Sequence, residues 1–300
     1  MKGRSKGIED CKKVLILGID ALEYDLVEQW DLKNLKQKEY GKTELPLVPG
    51  QEPVTVIIWP CFITGCMPKE MGYSTLHVFP QPLQHVVDTV FPFFRRFLID
   101  YEAEDRAEKK KGKQGFLDKI AGRIDSLGLS HKPTRRDIRA STVFDNPNFR
   151  SVHLHVPVYD DDAFPEHRGK TIDAVSDKMV RSVIELNHKQ EFNHRTKEVF
   201  DWIEKDDWDL FMQYFFLLDG VQHVFYNNVK KIAKFYVMFD EFVGKVKQKI
   251  DDDTLLLIVS DHGQKKGIHT DHGFYSVNKP LGLKNPKLID FKWIIEDILE

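Results

Sequence analysis

The sequence predicts an α/β domain: a mainly parallel central sheet with helices on both faces, interrupted by one inserted cap. Three observations carry that reading. Apolar runs of strand length alternate with longer helical patterns, the signature of strand–helix–strand units. The runs at residues 14–19, 210–218 and 254–259 are strongly apolar rather than alternating, as strands covered on both faces are. Each of these runs leads into an acid: Asp20 and Asp219 directly, and Asp261 after Ser260.

Taken in order, residues 14–20 read as a buried strand whose last residue, Asp20, emerges at the carboxyl edge of the sheet. Residues 21–35 read as helix, and residues 43–48 as a short strand closed by Pro46 and Pro49-Gly50. Residues 57–64 read as helix, with Pro60 tolerated in a first turn. The texture then changes. Pro80, Pro82 and Pro92 punctuate an aromatic stretch at 91–97, and a charged run at 102–113 contains Lys109-Lys110-Lys111. That run reads as a solvated helix face or mobile loop, with a phosphate-attracting patch as the alternative. Residues from about 80 to 150 are expected to form the cap, inserted into a catalytic domain made of residues 1–80 and 150–300. Core texture returns at 151–156. Residues 171–204 read as a long helix, with Ile172, Val175, Met179, Val183 and Leu186 recurring at spacings of three and four. A strand at 210–218 ending at Asp219, an amphipathic helix at 229–250, a strand at 254–259 and a helix at 291–299 complete the pattern.

A chain of 300 residues at 41% hydrophobic can bury a substantial core. A net charge of −3 with 30% charged residues provides no global basic field, so no nucleic-acid polymer is expected as a partner. Three cysteines, Cys11, Cys61 and Cys66, are too few and too uneven for a disulfide framework or a paired-cysteine zinc site. No run approaches the roughly 18 apolar residues of a spanning helix, and the polar start leads into a strand. No membrane association is expected, and the cytoplasm is the expected location.

The chemistry concentrates near the C-terminus. Ser260-Asp261-His262-Gly263 and His269-Thr270-Asp271-His272 follow directly on an apolar run. Carboxylate and imidazole together suit zinc and its first-row neighbours. In open α/β sheets, ligands gather beyond the carboxyl ends of the strands. Asp219 and His223 stand four apart, a spacing that places both on one face of a helix. Each acid alone is an ordinary cap or turn residue; three at one edge, two accompanied by His, point to a metal cluster. His269 and His272 compete for a last ligand position, with Asp271 placed to orient an imidazole. Thr55 lies just ahead of a helix. Such a Thr serves as an N-cap, and the same position suits a nucleophile, because helix amides stabilise negative charge there.

Together these residues resemble the alkaline phosphatase superfamily, and are most similar to its type I phosphodiesterase/nucleotide pyrophosphatase branch, especially the compact prokaryotic members. The ordered set is Asp20; Thr55 ahead of Thr64-Gly65, with Trp59 between them; Asp219 and His223; residues 260–263; and His269 four residues before Gly273. The resemblance implies a metal-dependent phosphoester hydrolase acting on a small phosphoester. Thr55 would be the nucleophile, passing through a phosphothreonine enzyme. Two divalent ions are implied, zinc first and manganese second. One is held by Asp219, His223 and His269, and the other by Asp20, Asp261, His262 and the Thr55 oxygen. His269 is preferred over His272 because it alone keeps the four-residue step to Gly273. Trp59, Arg95 and Arg96 are expected substrate contacts, beside Phe91, Phe93, Phe94 and Phe97 of the cap. The chain departs from the pattern at Met71-Gly72, where members often carry His-Gly, and no phosphate-holding Asn is recognisable before Phe79. Ser74, Thr75 and His77 are the nearby polar groups. Cys61 lies in no sulfatase-like block. A phosphomonoesterase or phosphonate hydrolase would use the same machinery. A non-catalytic metal- or phospho-ligand-binding protein would not require every one of these positions to be filled.

Overall fold

A computed structural model describes residues 11–47, 53–71, 133–164 and 178–300. Six strands form one sheet: β1 (Lys13–Ile19), β2 (Glu39–Glu44), β3 (Ser151–Leu154), β4 (Leu210–Phe215), β5 (Thr254–Ser260) and, after a two-stranded hairpin of β6 (Gln264–Lys265) and β7 (Ile268–His269), β8 (His272–Val277). Their order is β2-β8-β5-β1-β4-β3. β5, β1, β4 and β3 run parallel, and β8 runs antiparallel to both β5 and β2.

Strand alternation divides the interior into two cores. From β1, Leu15, Leu17 and Ile19 face one side, where they meet α1 (Tyr24–Gln29), α2 (Lys33–Lys36), α4 (Lys178–Lys205), α5 (Leu217–Phe225) and α6 (Val229–Lys247) through Val27, Leu35, Phe192, Val221 and Phe239. Val14 and Ile16 face the other side, against α3 (Thr55–Thr64) and α7 (Asp290–Leu299) through Ile58, Phe62, Phe291 and Ile295. Fully buried side chains of this kind each stabilise the fold by about 1.5–3 kcal/mol. Because both faces are covered there, β1, β4 and β5 carry no polar alternation.

Several local expectations are corrected. The segment 21–35 is two short helices, separated where Asp31 takes φ +48 and ends the first. The strand expected at 43–48 is β2 at 39–44. It pairs with β8 and buries only Thr43, so its composition did not advertise it. Helix α3 starts at Thr55, which places Pro60 inside the helix rather than in its first turn. β4 stops at Phe215, where its pairing with β1 ends, so Asp219 sits in the first turn of α5 and not at a strand end. In α4 the stripe Met179, Val183 and Leu186 is exposed, at 79%, 49% and 56%. The buried face is Ile184, His188, Phe192, Arg195 and Val199. Phe192 decides that orientation by packing its ring on Phe215, Phe239 and Phe242.

Residues 133–149, the described end of the expected cap, put Ile138, Val143, Phe144 and Phe149 into the second core. Residues 72–132 lie outside the described residues. Among the described residues, no helix is long and apolar enough to cross a membrane.

Candidate metal and phosphoester site

Asp20 follows β1, Asp261 and His262 follow β5, and all three are fully buried. The Ser260 hydroxyl ties these two strand ends together, donating to the His262 carbonyl (2.7 Å) and accepting the Leu22 amide (2.9 Å). Asp20 Oδ2 receives the hydroxyls of Tyr214 and, at 3.4 Å, Thr55. Its Oδ1 lies 3.4 Å from His262 Nε2, as does Asp261 Oδ2. Asp219 and His223 share one face of α5, with His223 Nε2 3.1 Å from Asp219 Oδ1. Hairpin strand β7 brings in His269, whose Nε2 is 3.5 Å from Asp219 Oδ1 and 3.1 Å from His223 Nε2. One ligand atom from each of Asp219, His223 and His269 falls within 4.8 Å of the others, and the same holds for Asp20, Asp219 and His262.

The imidazole tautomers follow from their outer partners. His262 Nδ1 faces the Gly263 carbonyl at 3.2 Å, and His269 Nδ1 faces the Pro53 carbonyl at 3.1 Å. A carbonyl only accepts, so each Nδ1 carries a hydrogen and each Nε2 is the nitrogen turned inward. Burial, with His269 alongside, holds the His262 pKa well below the ordinary imidazole value. Its neutral Nε2 therefore faces two carboxylate oxygens with no hydrogen-bond partner of its own.

The carboxylates are pulled in opposite directions. Burial pushes Asp261 above the usual carboxylate range, and the neighbouring Asp219 charge adds to that. Burial also opposes ionisation of Asp219, but His223 and His269 outweigh it and hold that carboxyl well below its ordinary value. Among the described residues, no Lys or Arg pairs with Asp219 or Asp261. Buried carboxylates facing inward lone pairs are mutually repulsive unless a cation lies between them. The donor set therefore fits divalent ions bound by oxygen and imidazole nitrogen.

Thr55 is the first residue of α3, and the cap position belongs to Val54, which makes no side-chain cap bond. The Thr55 hydroxyl is thus not used to cap the helix; it points at Asp20 from a largely buried position. The first-turn amides of α3 bring positive potential to the same place.

The remaining predicted residues divide. His272 lies away from the cluster: its Nε2 faces Glu23 (3.3 Å) and its Nδ1 faces the exposed Asp271 (3.4 Å). Trp59 is fully buried against Phe62 and Tyr214, and a Cβ at Gly18 would come within 2.8 Å of its ring. Its ring is committed to packing and presents no surface to a substrate, contrary to the expected contact. Cys61 is buried with its thiol pushed up by that burial, the opposite of an activated nucleophile. Arg95, Arg96, Phe91, Phe93, Phe94 and Phe97, with Ser74, Thr75 and His77, lie outside the described residues.

Four contributors went unrecognised in the sequence. Tyr214 donates to Asp20, and the Gln264 amide sits 3.0 Å from His223 Nδ1. Gln222, between Asp219 and His223 on α5, donates to the Ala21 carbonyl at 2.8 Å. Glu23 is a fully buried acid beside the hairpin. Gln264 directly follows the Ser-Asp-His-Gly block, and that adjacency was the available signal. Gln222 has the same kind of signal, directly preceding His223, whereas Tyr214 and Glu23 have no local mark.

A family model described as type I phosphodiesterase/nucleotide pyrophosphatase matches residues 131–295, more than half of the chain. The match includes every site residue from Asp219 to His269 and begins after Asp20 and Thr55. No curated protein matches the chain. Among solved structures, murine ectonucleotide pyrophosphatase/phosphodiesterase 5 aligns at 13% identity and TM-score 0.47. That alignment covers 84% of this chain, which spans only 57% of the murine one. An inactive Thr-to-Ala variant of the murine protein in complex with AMP aligns at 12% identity and TM-score 0.45, covering 84% and 57% of the two chains. The PH0037 protein from Pyrococcus horikoshii aligns at 14% identity and TM-score 0.46, covering 96% of this chain and 97% of its own. With the family match lying across the helix, strand and hairpin that bear the second half of the site, the chain belongs to the type I phosphodiesterase/nucleotide pyrophosphatase family.

Proposed function

We propose that the chain hydrolyses small phosphodiesters, with Thr55 as nucleophile and two divalent ions, zinc first and manganese second, as cofactors. The observation that carries this reading is the convergence of the Thr55 hydroxyl, a helix N-terminus and two carboxylate–imidazole clusters on one sheet edge. Asp219, His223 and His269 would hold one ion, and Asp20, Asp261 and His262, with the Thr55 oxygen, the other. Bound there, the ions would supply Lewis acidity, lowering the pKa of a hydroxyl and neutralising charge on attacking and leaving oxygens.

The chain's own groups do the rest. Asp20 Oδ2 holds the Thr55 hydroxyl at the strand edge. Attack of Oγ1 on phosphorus forms one P–O bond as the bond to the leaving oxygen breaks, giving a phosphothreonine. The Thr55 proton ends on the departing alcohol. Water then adds to phosphorus, breaks the bond to Oγ1 and restores the hydroxyl. Splitting the displacement replaces one difficult step with two easier ones. The first-turn amides of α3 are placed to stabilise charge on the phosphoryl oxygens.

Leaving-group choice is assigned to the cap between residues 80 and 150, with Arg95 and Arg96 as its phosphate or aryl contacts. A cytoplasmic location belongs to the same proposal. The test is hydrolysis of bis- against mono-p-nitrophenyl phosphate by protein stripped of metal and then restored with zinc or manganese. Faster turnover of the diester is expected. Preference for the monoester would move the chain to the phosphomonoesterases, and no turnover of either would favour a binding protein.

A further inference from the structure

Glu23 is fully buried and lies three residues beyond Asp20, at the N-cap of α1, where its Oε1 accepts the Asp25 amide at 3.1 Å. The rest of its carboxylate is turned toward the β6–β7 segment. Oε2 accepts the Thr270 hydroxyl at 3.0 Å, and Oε1 faces His272 Nε2 at 3.3 Å. Lys265 of the same segment approaches Oε1 at 3.8 Å. A Cβ at Gly263 would come within 2.1 Å of Glu23 Oε2 and 2.5 Å of Thr270 Oγ1, so glycine is required for the acid to reach the hairpin.

The hairpin needs such an anchor. Its ladder has two residue pairs, Gln264 with His269 and Lys265 with Ile268. Its base is closed by Gly263 N to His272 O (3.0 Å) and Thr270 N to Gly263 O (2.9 Å). A two-stranded hairpin this short is marginal in water on its own. Glu23 itself is fixed from behind. Its amide donates to the Tyr236 hydroxyl (3.0 Å), that hydroxyl meets Gln222 Oε1 (3.3 Å), and Gln222 lies on α5 between Asp219 and His223.

We propose that Glu23 is a positioning residue: its buried carboxylate latches the hairpin to the turn after β1 and so sets His269 against Asp219 and His223. The role assigned to the latch rests on the two-ion reading, but the latch has a consequence in the metal-free protein too. His272 gains a role in the same step, as part of the latch.

The test uses the full chain as wild type, Glu23→Gln and Thr270→Val. Hydrogen exchange is followed across residues 263–272 in metal-free protein, and zinc is titrated calorimetrically. Glu23→Gln should speed exchange of the Gly263 and Thr270 amides about tenfold or more, with β1 and β5 unchanged. It should also weaken one of the two zinc ions about tenfold or more, the scale expected when an outer partner of a ligand is lost. Thr270→Val should move both readouts the same way by less, and decides the matter if Glu23→Gln fails to fold. Unchanged exchange overturns the latch, as does equal weakening of both ions, which marks a merely structural role. A zinc-competent wild type with unaltered affinities in both variants overturns the latch alone. A wild type that takes up no zinc removes the two-ion reading and the latch's assigned role with it.

Discussion

The two halves of the site are built differently. Asp20, Asp261 and His262 directly follow inner strands held by backbone pairing on both sides, β1 between two parallel neighbours and β5 between parallel β1 and antiparallel β8, and none of the three is exposed. Asp219, His223 and His269 come from a helix and a hairpin strand of two residues, and the His223 side chain is 36% exposed. The first half inherits its geometry from the sheet. The second depends on side-chain bonds: Pro53 to His269, Gln264 to His223, and Glu23 to the hairpin base. Ligands on a rigid strand edge need little reorganisation, whereas those on a hairpin must be ordered by partners, at an entropic cost.

Predictions that would break or sharpen this comparison run from large to small effects. Thr55→Ala should remove turnover by several orders of magnitude while both ions stay bound, since no neighbouring group replaces a nucleophile. Thr55→Ser should keep part of the activity. Steady-state rates with elemental analysis check this. An active alanine variant that is only about 1 kcal/mol less stable would reduce Thr55 to a helix-end residue.

Within the hairpin half, His269→Ala should lose one ion and His272→Ala should retain two. The reverse result would exchange their roles. Between the halves, a chelator should strip the hairpin-side ion first, leaving a one-ion species that retains the strand-edge ion. Release of both ions together would mean that the halves do not differ in preorganisation.

A smaller effect is expected at Ala21, which joins Asp20 to the latch with φ +58. That conformation is strained for any residue with a Cβ. Ala21→Gly should raise the metal-free stability by up to about 1 kcal/mol, less the backbone entropy glycine adds to the unfolded chain. A denaturant melt reads the difference, and destabilisation would show that the turn is unstrained.

The smallest effect lies outside the site. Burial opposes a charge on His155, and Arg195 opposes it too, but Glu198 (3.0 Å) and Asp162 (2.9 Å) outweigh both and raise its pKa. A raised value means that the charged form is favoured by folding. Its stabilisation is therefore fully present below about pH 6.5 and is lost as pH rises through the folded-state value. The melting gap between wild type and His155→Gln should shrink with rising pH in that window; a constant gap would contradict the pairing.

What the sequence made legible follows the same division. Asp20 and Asp261 were visible because a fully apolar strand that ends in an acid has few structural reasons to do so. Asp219 is marked by its spacing to His223, although the first two residues of its helix read as strand, because Phe216 to Leu218 continue the apolar run without a break. Trp59 and the Met179–Val183–Leu186 stripe misled for one reason: residue type and spacing do not reveal which face a helix turns inward. Glu23 and Thr270 are 247 residues apart, and nothing local in either marks the bond between them. Strand-end carboxylates leave a local signature, and residues bonded across the chain do not.

The central claim is that two ions work beside Thr55, one in each half. The most direct measurement is the metal content of active protein, compared with that of His269→Ala and Asp261→Ala, alongside diester turnover. The account predicts two equivalents in the wild type and one in each variant, with turnover lost in both. One equivalent or none in fully active wild-type protein would contradict it.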